Sequence, residues 1–323
     1  MKGKYLLFGG SGFIGHHLTS LINANQSNAA VIFDIAKPIL ETKNFENIDV
    51  RGTIETKYTP SSNDVIFNLA AVHRTPGHPS NEYFETNLLG AENVCNYARK
   101  YNITTIVFTS SIATYGTYEE QKSETTIPMP DIPYGISKLS AEYIHKLWQQ
   151  EEPNLRKLII VRPGVVFGEF EKGNFTRLIN SISKKSFFYP GRKDTIKACI
   201  YVKDLVSVML EMVENEIIGV VNYNMTYEPA PSIEKICNVI SNRGKLRTPK
   251  IKLPSFVLLM ISKVIYSIIK KEGIHPDRVK KLMISNNING VKLNSKYNLT
   301  YSLEKGIADW MKCTNFEKNK EIY

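Results

Sequence analysis

Three residues in the first half of the chain have the types and spacing needed to move a proton. Tyr134 and Lys138 are four residues apart, and Ser111 lies 23 residues before Tyr134, at the end of an apolar run. On a helix, a spacing of four places both side chains on one face, so we expect the Lys138 ammonium to lower the phenol pKa from its usual value of about 10. Tyr134 then becomes a usable base, as in an oxidoreductase. Because Tyr-x-x-x-Lys also occurs on solvated helix faces, this interpretation depends on the surrounding elements.

A strand, a glycine turn and a helix follow one another at the start of the chain. Residues 5–8 form an apolar run, and residues 13–24 have an amphipathic helical pattern. The turn and the start of the helix supply the predicted cofactor-binding residues Gly9, Gly10, Ser11, Gly12, Phe13, Ile14 and Gly15. Gly9 and Gly12 allow the backbone to approach a pyrophosphate, Gly15 lets the helix pack on the strand, and the helix N-terminus offers free N–H groups. The G-x-x-G-x-x-G spacing in this setting predicts a dinucleotide site.

An acidic residue at the end of the next strand favours one form of the dinucleotide. Asp34 follows an apolar run over residues 29–33 and stands 19 residues beyond Gly15. A carboxylate there accepts hydrogen bonds from the adenosine ribose hydroxyls and repels a 2'-phosphate. We therefore predict NAD rather than NADP, with an ordinary turn residue at a strand end as the alternative for Asp34.

Length and composition agree with a large globular enzyme. The chain has 323 residues, of which 42% are hydrophobic, enough to bury a sizeable core in one mixed domain or two apposed ones. Its cysteines have neither disulfide-rich nor zinc-site spacing, which predicts a reducing compartment and no metal; they are Cys95, Cys199, Cys237 and Cys313. The first apolar run is too short for a signal peptide, so we expect a cytoplasmic protein.

Alternating strand and helix patterns predict the fold. Apolar runs at 64–70, 105–108 and 158–161 are separated by helical patterns at 82–100 and 138–150. This alternation predicts an α/β protein with a doubly wound parallel sheet, the Rossmann arrangement, and a smaller mixed C-terminal substrate domain. The expected NAD-binding domain covers 1–165, with returning elements near 200–224. The expected substrate domain covers 166–199 and 225–323.

Several motifs occur in an order that resembles a known family over roughly residues 4–312. They are Gly9 to Gly15, Asp34, Asn68-Leu69-Ala70-Ala71, Asn87 with Gly90, Thr109 to Gly116, Tyr134-x-x-x-Lys138, Arg162-Pro163 and Tyr201-Val202-Lys203-Asp204. In these motifs the chain resembles the extended short-chain dehydrogenase/reductases, specifically the NAD-dependent sugar epimerase/dehydratase group.

The resemblance implies a set of site residues. Ser111, Tyr134 and Lys138 correspond to the catalytic triad. The NAD site gains Leu69, Ala70, Ala71, Asn87, Tyr134, Lys138 and Pro163, the last on the nicotinamide side. Lys197, Asn174 and Arg278 are candidates for holding a substrate diphosphate, and His73 is a candidate loop residue near the sugar.

Departures from the family pattern narrow the chemistry. Sugar dehydratases of this family carry an Asp-Glu pair directly after the catalytic hydroxyl residue, whereas this chain has Ile112 and Ala113. Dehydration is therefore not expected, and chemistry at one hydroxyl remains. Thr53 replaces an aspartate that contacts the adenine in many relatives. Lys197 stands where UDP-sugar epimerases often have arginine, and lysine lacks the bidentate fork for phosphate.

Positive charge is concentrated in one C-terminal stretch. The chain has a net charge of +10, and residues 243–281 hold eleven Lys and Arg against two acids. Residues 253–269 within it have a largely apolar, helix-like pattern, interrupted by Lys263 and too short to span a bilayer. They suit an interfacial helix on an anionic membrane, and packing within the substrate domain is the open alternative. Nucleic acid is a weaker interpretation, because the cations are not regularly interleaved with aromatic residues for stacking.

The resemblance implies an epimerase. In the glycine turn, in residues 70–74 and 167–174 and in the basic segment, the chain is similar to bacterial epimerases of polyprenyl-diphosphate-linked N-acetylhexosamine. We expect NAD-dependent 4-epimerisation of an N-acetylglucosamine/N-acetylgalactosamine substrate, polyprenyl-diphosphate- or UDP-linked, at the inner face of the cytoplasmic membrane in surface polysaccharide biosynthesis. A sugar or alcohol dehydrogenase or 4-ketoreductase is the first alternative, and a non-catalytic NAD sensor is the second. The sequence leaves a homodimer open.

Overall fold

The computed structural model describes residues 3–25, 29–39, 42, 44–73, 77–260, 263 and 283–316. Its strands are β1 (Tyr5–Phe8), β2 (Ala30–Asp34), β3 (Phe45–Asn47), β4 (Val65–Asn68), β5 (Thr105–Thr109), β6 (Lys157–Pro163), β7 (Val165–Phe167), β8 (Tyr189–Pro190), β9 (Cys199–Tyr201), β10 (Gly219–Met225) and β11 (Lys252–Leu253). Its helices are α1 (Phe13–Asn25), α2 (Ser80–Phe84), α3 (Gly90–Lys100), α4 (Pro133–Glu151), α5 (Asn174–Ser183), α6 (Val202–Asn215), α7 (Ile233–Gly244), α8 (Val291–Lys296) and α9 (Leu303–Cys313). A π-helical turn, Glu85–Leu89, joins α2 to α3, a 3-10 turn, Ile112–Tyr115, follows β5, and residues 255–260 are also helical.

Seven strands form one parallel sheet in the order β10-β6-β5-β4-β1-β2-β3. The chain moves outward from β1 in both directions, which confirms the predicted doubly wound arrangement. The central strands are continuous apolar runs because both faces of the sheet are covered. Leu6, Leu7 and Phe8 of β1 have no exposed surface, and neither do Ile66 and Phe67 of β4.

Two helical segments differ from their predicted bounds. The pattern over 82–100 is divided by the π-helical turn Glu85–Leu89, and α4 begins at Pro133 instead of 138. Proline is favoured at the first position of a helix, where its missing N–H has no intrahelical partner. The earlier start places Tyr134 and Lys138 on the same helix.

The described residues form two compact units. The first comprises residues up to Gly116, Ile127–Pro163 and Leu205–Tyr223; the second comprises Thr117–Thr126, Gly164–Asp204 and the described residues from Asn224 onward. The predicted ranges place residues 117–126 in the first domain, whereas they pack within the second unit. The return to the main sheet is made by β10, while β9 pairs with β7 in a separate two-stranded sheet.

Part of the predicted basic segment lies outside the described residues. These are residues 261–262 and 264–281, which include the candidate Arg278. Among the helices of the described chain, none is long and apolar enough to cross a membrane.

Candidate active site

The register of the parallel strands brings the predicted cofactor residues to one edge of the sheet. Phe8 of β1 lies opposite Phe33 of β2 and Asn68 of β4. The residues that follow these positions, Gly9, Asp34 and Leu69, therefore share the carboxyl edge of the sheet. This edge lies where the strand order reverses, which is the usual ligand position in open α/β sheets.

The glycine turn packs directly on the loop after β4. Gly9 has φ +80, and a Cβ added there would lie 2.5 Å from the Ala70 nitrogen. A Cβ on Gly15 would lie 2.5 Å from the Gly10 carbonyl oxygen, whereas one on Gly12 would meet nothing closer than 3.4 Å. The first and last glycines thus permit backbone packing, while Gly12 leaves the side of the turn open. Such a turn at the start of α1 can take a pyrophosphate.

Hydrogen bonds join Asp34 to the glycine turn, together with which it is expected to bind the dinucleotide. Its Oδ2 accepts the Ser11 N–H at 2.9 Å, and its Oδ1 accepts the Ala36 N–H at 3.0 Å. The Ser11 hydroxyl donates to the Ala36 carbonyl at 2.7 Å. A carboxylate has about four acceptor positions, so both oxygens retain capacity for ribose hydroxyls. These residues fit the adenosine and pyrophosphate parts of NAD, although the ribose contact itself stays a prediction.

Asn87, predicted to bind cofactor, uses its amide within the protein. Its Oδ1 accepts the Val72 N–H at 2.9 Å, and its Nδ2 donates to the Val72 carbonyl at 3.2 Å and to Ser137 Oγ at 2.8 Å. Ser137 Oγ in turn donates to the Tyr134 carbonyl at 2.9 Å. Asn87 therefore joins the end of the Leu69–Ala71 loop to the helix that carries Tyr134.

Ser111 and Tyr134 are brought together at the carboxyl end of β5. Ser111 precedes the Ile112–Tyr115 turn, and its Oγ accepts the Ala113 N–H at 3.1 Å. Burial raises the pKa of Tyr134, and a hydrogen bond with the Ser111 side chain acts in the opposite direction. The expected lowering of the Tyr134 pKa is therefore wrong for the chain's own residues, because desolvation outweighs the Ser111 hydrogen bond.

Lys138 is almost completely buried one helical turn after Tyr134. Its side chain has 2% exposure, and its Nζ lies 4.4 Å from the centre of the Phe108 ring. Burial lowers the pKa of Lys138 to about 7, and the Glu142 carboxylate acts to raise it. A lysine with such a pKa changes charge near neutral pH, so its neighbours control whether it is a cation.

A neutral histidine stacks on the same ring. The ring of His145 stacks on Phe108 with centres 4.1 Å apart. Burial lowers the pKa of His145 to about 4. Its Nδ1 lies 2.7 Å from the Ala141 carbonyl oxygen and must donate, so its Nε2 accepts from Asn68 Nδ2 at 3.2 Å. This contact links α4 to the residue before the Leu69–Ala71 loop.

The candidate substrate residues are described within separate units. His73 is exposed in the first unit. In the second, Asn174 is exposed at the start of α5, and its Oδ1 accepts from Arg177 at 3.0 Å. Lys197 Nζ donates to the Ile284 carbonyl at 2.7 Å, and burial lowers the pKa of Lys197 to about 8. Their substrate roles stay predictions.

Sequence reasoning missed two clusters of charged residues. Glu142 lies on the Tyr134 face of α4, at twice the Tyr134–Lys138 spacing, and binds Arg162 of β6. The spacing of Glu142 from Tyr134 could have identified it from the sequence. Arg192, in the second unit, donates to Glu119 and to Ser285, and its charge acts to lower the pKa of Lys197. No sequence pattern marks this cluster, because Glu119 and Arg192 are 73 residues apart.

Comparisons with known proteins agree with this arrangement. The NAD dependent epimerase/dehydratase family model matches residues 5–226. The chain is 28% identical over 315 residues to the N-acetyl-alpha-D-glucosaminyl-diphospho-ditrans,octacis-undecaprenol 4-epimerase of Escherichia coli O157:H7, with 95% of this chain and 94% of the relative covered. The uncharacterized UDP-glucose epimerase YtcB of Bacillus subtilis (strain 168) is 28% identical over 223 residues, covering 63% of this chain and 70% of the relative.

A solved structure shows the same fold. MoeE5 in complex with UDP-glucuronic acid and NAD aligns with a TM-score of 0.74 at 20% identity, covering 97% of this chain and 99% of its own. Since the family model covers more than half of the sequence, the protein belongs to the NAD-dependent epimerase/dehydratase family and is an NAD-dependent enzyme similar to its sugar 4-epimerases.

Proposed function

We propose that the protein is a 4-epimerase that interconverts N-acetylglucosamine and N-acetylgalactosamine carried on polyprenyl diphosphate. The observation that carries this proposal is the likeness to the E. coli undecaprenol-linked epimerase, which extends over 95% of this chain. By comparison, the likeness to the UDP-glucose epimerase YtcB covers 63% of this chain. The sugar donor of this class serves surface polysaccharide biosynthesis, which is part of the proposal.

The site geometry supports a proton exchange at one hydroxyl. Tyr134 takes the proton of the sugar C4 hydroxyl, and Ser111, which hydrogen-bonds Tyr134, also binds the reacting oxygen. Lys138 stabilises the phenolate when it is charged. NAD held by the Gly9–Gly15 turn and Asp34 would supply the hydride acceptor and donor that oxidation and reduction at C4 require. The sugar and the cofactor therefore undergo no net oxidation or reduction over one turnover.

The residues after Ser111 favour epimerisation over dehydration. Eliminating water needs an acid and a base beyond the tyrosine, and both must be titratable side chains. Ile112 and Ala113 occupy the two positions after Ser111, and the Ala113 N–H is bonded to Ser111 Oγ. Neither side chain can exchange a proton.

Exposed apolar residues support contact with the inner face of the cytoplasmic membrane. In helical residues 255–260, Phe256 is 66% and Met260 is 64% exposed, whereas Leu258 is buried. Phe256 and Met260 are four residues apart and share a face, and Lys250 and Lys252 precede them. An apolar face beside cations suits the interface of an anionic membrane. At this interface the enzyme would encounter a lipid-linked substrate.

A homodimer is also proposed, in which α4 faces a second copy. Ile136, Tyr143 and Leu147 are exposed on α4, at spacings of seven and four. These spacings place them along one stripe of the helix. Light scattering on the purified protein should give twice the chain mass, and a monomer mass at working concentration would reject the dimer.

The function is tested by offering two substrates to the purified protein without added cofactor. N-acetylglucosaminyl-diphospho-polyprenol in anionic vesicles should give the galacto product, with UDP-N-acetylglucosamine converted less efficiently. The NADH absorbance band should not grow with turnover. Product from the UDP sugar alone would reject the lipid carrier. Steady NADH formation would instead indicate the dehydrogenase, and inactivity on both substrates with NAD bound would favour the sensor.

A further inference from the structure

A fully buried carboxylate lies on the face of α4 that carries Tyr134 and Lys138. Glu142 has no exposed surface, yet both of its oxygens are used. Its Oε1 accepts from the Ser110 hydroxyl at 2.6 Å and from Arg162 Nε at 2.8 Å, and its Oε2 accepts from Arg162 Nη2 at 2.6 Å. A buried charge is tolerated only with such complete partnering. All of these residues belong to the first unit.

The partners of Glu142 are the chain neighbours of predicted site residues. Ser110 directly precedes Ser111, and Arg162 directly precedes Pro163. Arg162 Nη1 also donates to the Tyr115 hydroxyl at 2.8 Å. Tyr115 ends the 3-10 turn that begins after Ser111, so the Glu142–Arg162 pair holds this turn at both ends.

Glu142 is also one helical turn from Lys138 and acts on its charge. Burial lowers the pKa of Lys138, and Glu142 acts to raise it. The other titratable groups around this pair are His145 and Lys146 from α4, Tyr115 from the 3-10 turn and Arg162 from β6. Tyr134 precedes the pair on α4, and Tyr83 of α2 packs against Tyr134. Lys146 approaches the same carboxylate from the solvent side, with Nζ 4.0 Å from Oε2 and 36% side-chain exposure.

On the basis of the proposed function, we infer that Glu142 is a positioning residue. Together with Arg162, it fixes the Ser111 turn against the Lys138 segment of α4, so that Ser111 and Lys138 act on Tyr134 at the same time. Its carboxylate also keeps Lys138 a cation in a buried setting. Glu142 itself touches neither the sugar nor its reacting hydroxyl.

The test compares Glu142→Gln with Lys146→Gln. The first change removes the charge at almost constant shape, and the second removes a cation that faces the same carboxylate from outside. Glu142→Gln should lower kcat about 100-fold, the scale expected for misplaced catalytic groups, with KM changed less. Lys146→Gln should keep kcat within about twofold of wild type, as expected for an exposed pair. The NAD content of both purified variants is measured to verify that cofactor is retained.

A pH measurement separates this role from a general loss of packing. Because Glu142 favours the charged form of Lys138, its removal lowers the Lys138 pKa further. The alkaline limb of the kcat profile should therefore move to lower pH by about one unit or more. NMR titration of labelled lysine side chains, with the Lys138 signal assigned by Lys138→Arg, should show the same movement. This titration does not depend on the identity of the substrate.

Each outcome decides the proposal. Unchanged kcat and an unchanged Lys138 titration in Glu142→Gln overturn it. If that variant does not accumulate as folded protein, Ser110→Ala replaces it, and a kcat equal to that of Lys146→Gln overturns the proposal. If the wild type lacks epimerase activity, the proposed function fails, while the Lys138 titration still tests the action of Glu142.

Discussion

Two charged clusters in this protein are anchored in opposite ways. In the first unit, the Glu142 and Arg162 side chains are 0% and 3% exposed and are bonded on several sides. In the second unit, the Arg192 and Glu119 side chains are 43% and 49% exposed. Lys197, beside them, donates to the backbone carbonyl of Ile284.

This difference separates residues that must stay fixed from residues that can change partners. A buried ion pair cannot lose one member without leaving an unpaired charge away from water. An exposed pair is screened, and it can exchange its carboxylate for a phosphate at little energetic cost. The first cluster therefore suits the fixed geometry of proton transfer, and the second suits a site that receives an anionic substrate.

The largest expected effect concerns stability and contrasts the two arginines. Arg162→Ala should lower the free energy of unfolding by about 3–5 kcal/mol, because it removes the buried cation that neutralises the Glu142 carboxylate. Arg192→Ala should lower it by less than about 1 kcal/mol, because Glu119 is then hydrated. Denaturant unfolding of both variants measures the contrast. Equal losses would show that the two clusters are anchored alike.

The second prediction concerns catalysis in the buried cluster. Tyr134→Phe should lower kcat at least about 100-fold, because the ring still packs but the proton acceptor is lost. The NAD content of the variant should stay near that of wild type. Retention of more than a few per cent of activity would exclude Tyr134 as the base.

The sequence predicted the local motifs of the first unit better than it predicted the side-chain contacts between distant elements. The glycine turn, Asp34 and the Tyr134–Lys138 face follow from spacing within one or two elements, and the parallel sheet aligned them as expected. The Glu142–Arg162 pair joins a helix to a strand, which local periodicity does not specify. The direction of the Tyr134 pKa was wrong for a related reason, because spacing gives the neighbour but not the burial.

Tertiary contacts also explain the divided helix at residues 80–100. Asn87 lies in its π-helical turn and bonds to Val72 and Ser137, which are distant in sequence. Periodicity over 82–100 carries no sign of these partners. In the second unit, Lys197 was predicted from resemblance, but the neighbouring Arg192 and Glu119 were not, since neither forms a local pattern with it.

A third prediction concerns Asp34, whose carboxylate accepts hydrogen bonds from backbone N–H groups. Asp34→Ala should weaken NAD binding by about tenfold, or about 1.4 kcal/mol, and should narrow the preference over NADP. It also removes the acceptor of the Ser11 and Ala36 N–H groups. Asp34→Asn keeps an acceptor oxygen at this position. It should lose the discrimination between NAD and NADP, but it should lose less NAD affinity than Asp34→Ala. Unchanged discrimination in both variants would place the ribose contact elsewhere.

The last prediction, with an expected effect of the same size as that at Asp34, concerns Lys197 and shows whether the second cluster receives the substrate. Burial lowers the pKa of Lys197 to about 8, so the ammonium loses its proton as pH rises through that value. If it binds the substrate diphosphate, KM should rise above pH 8, in addition to the fall in kcat that is expected from deprotonation of Lys138. Lys197→Arg should remove this rise, because arginine stays charged. Lys197→Met should raise KM about tenfold below pH 8, equivalent to about 1.4 kcal/mol.

Lys193→Met is the matched control for Lys197→Met. Lys193 is near in sequence but pairs with Glu234 at 3.1 Å, so the KM of this variant should stay within about twofold of wild type. Equal KM values for Lys197→Met and Lys193→Met would mean that Lys197 serves the fold through its bond to the Ile284 carbonyl, and that the exposed cluster does not receive the substrate.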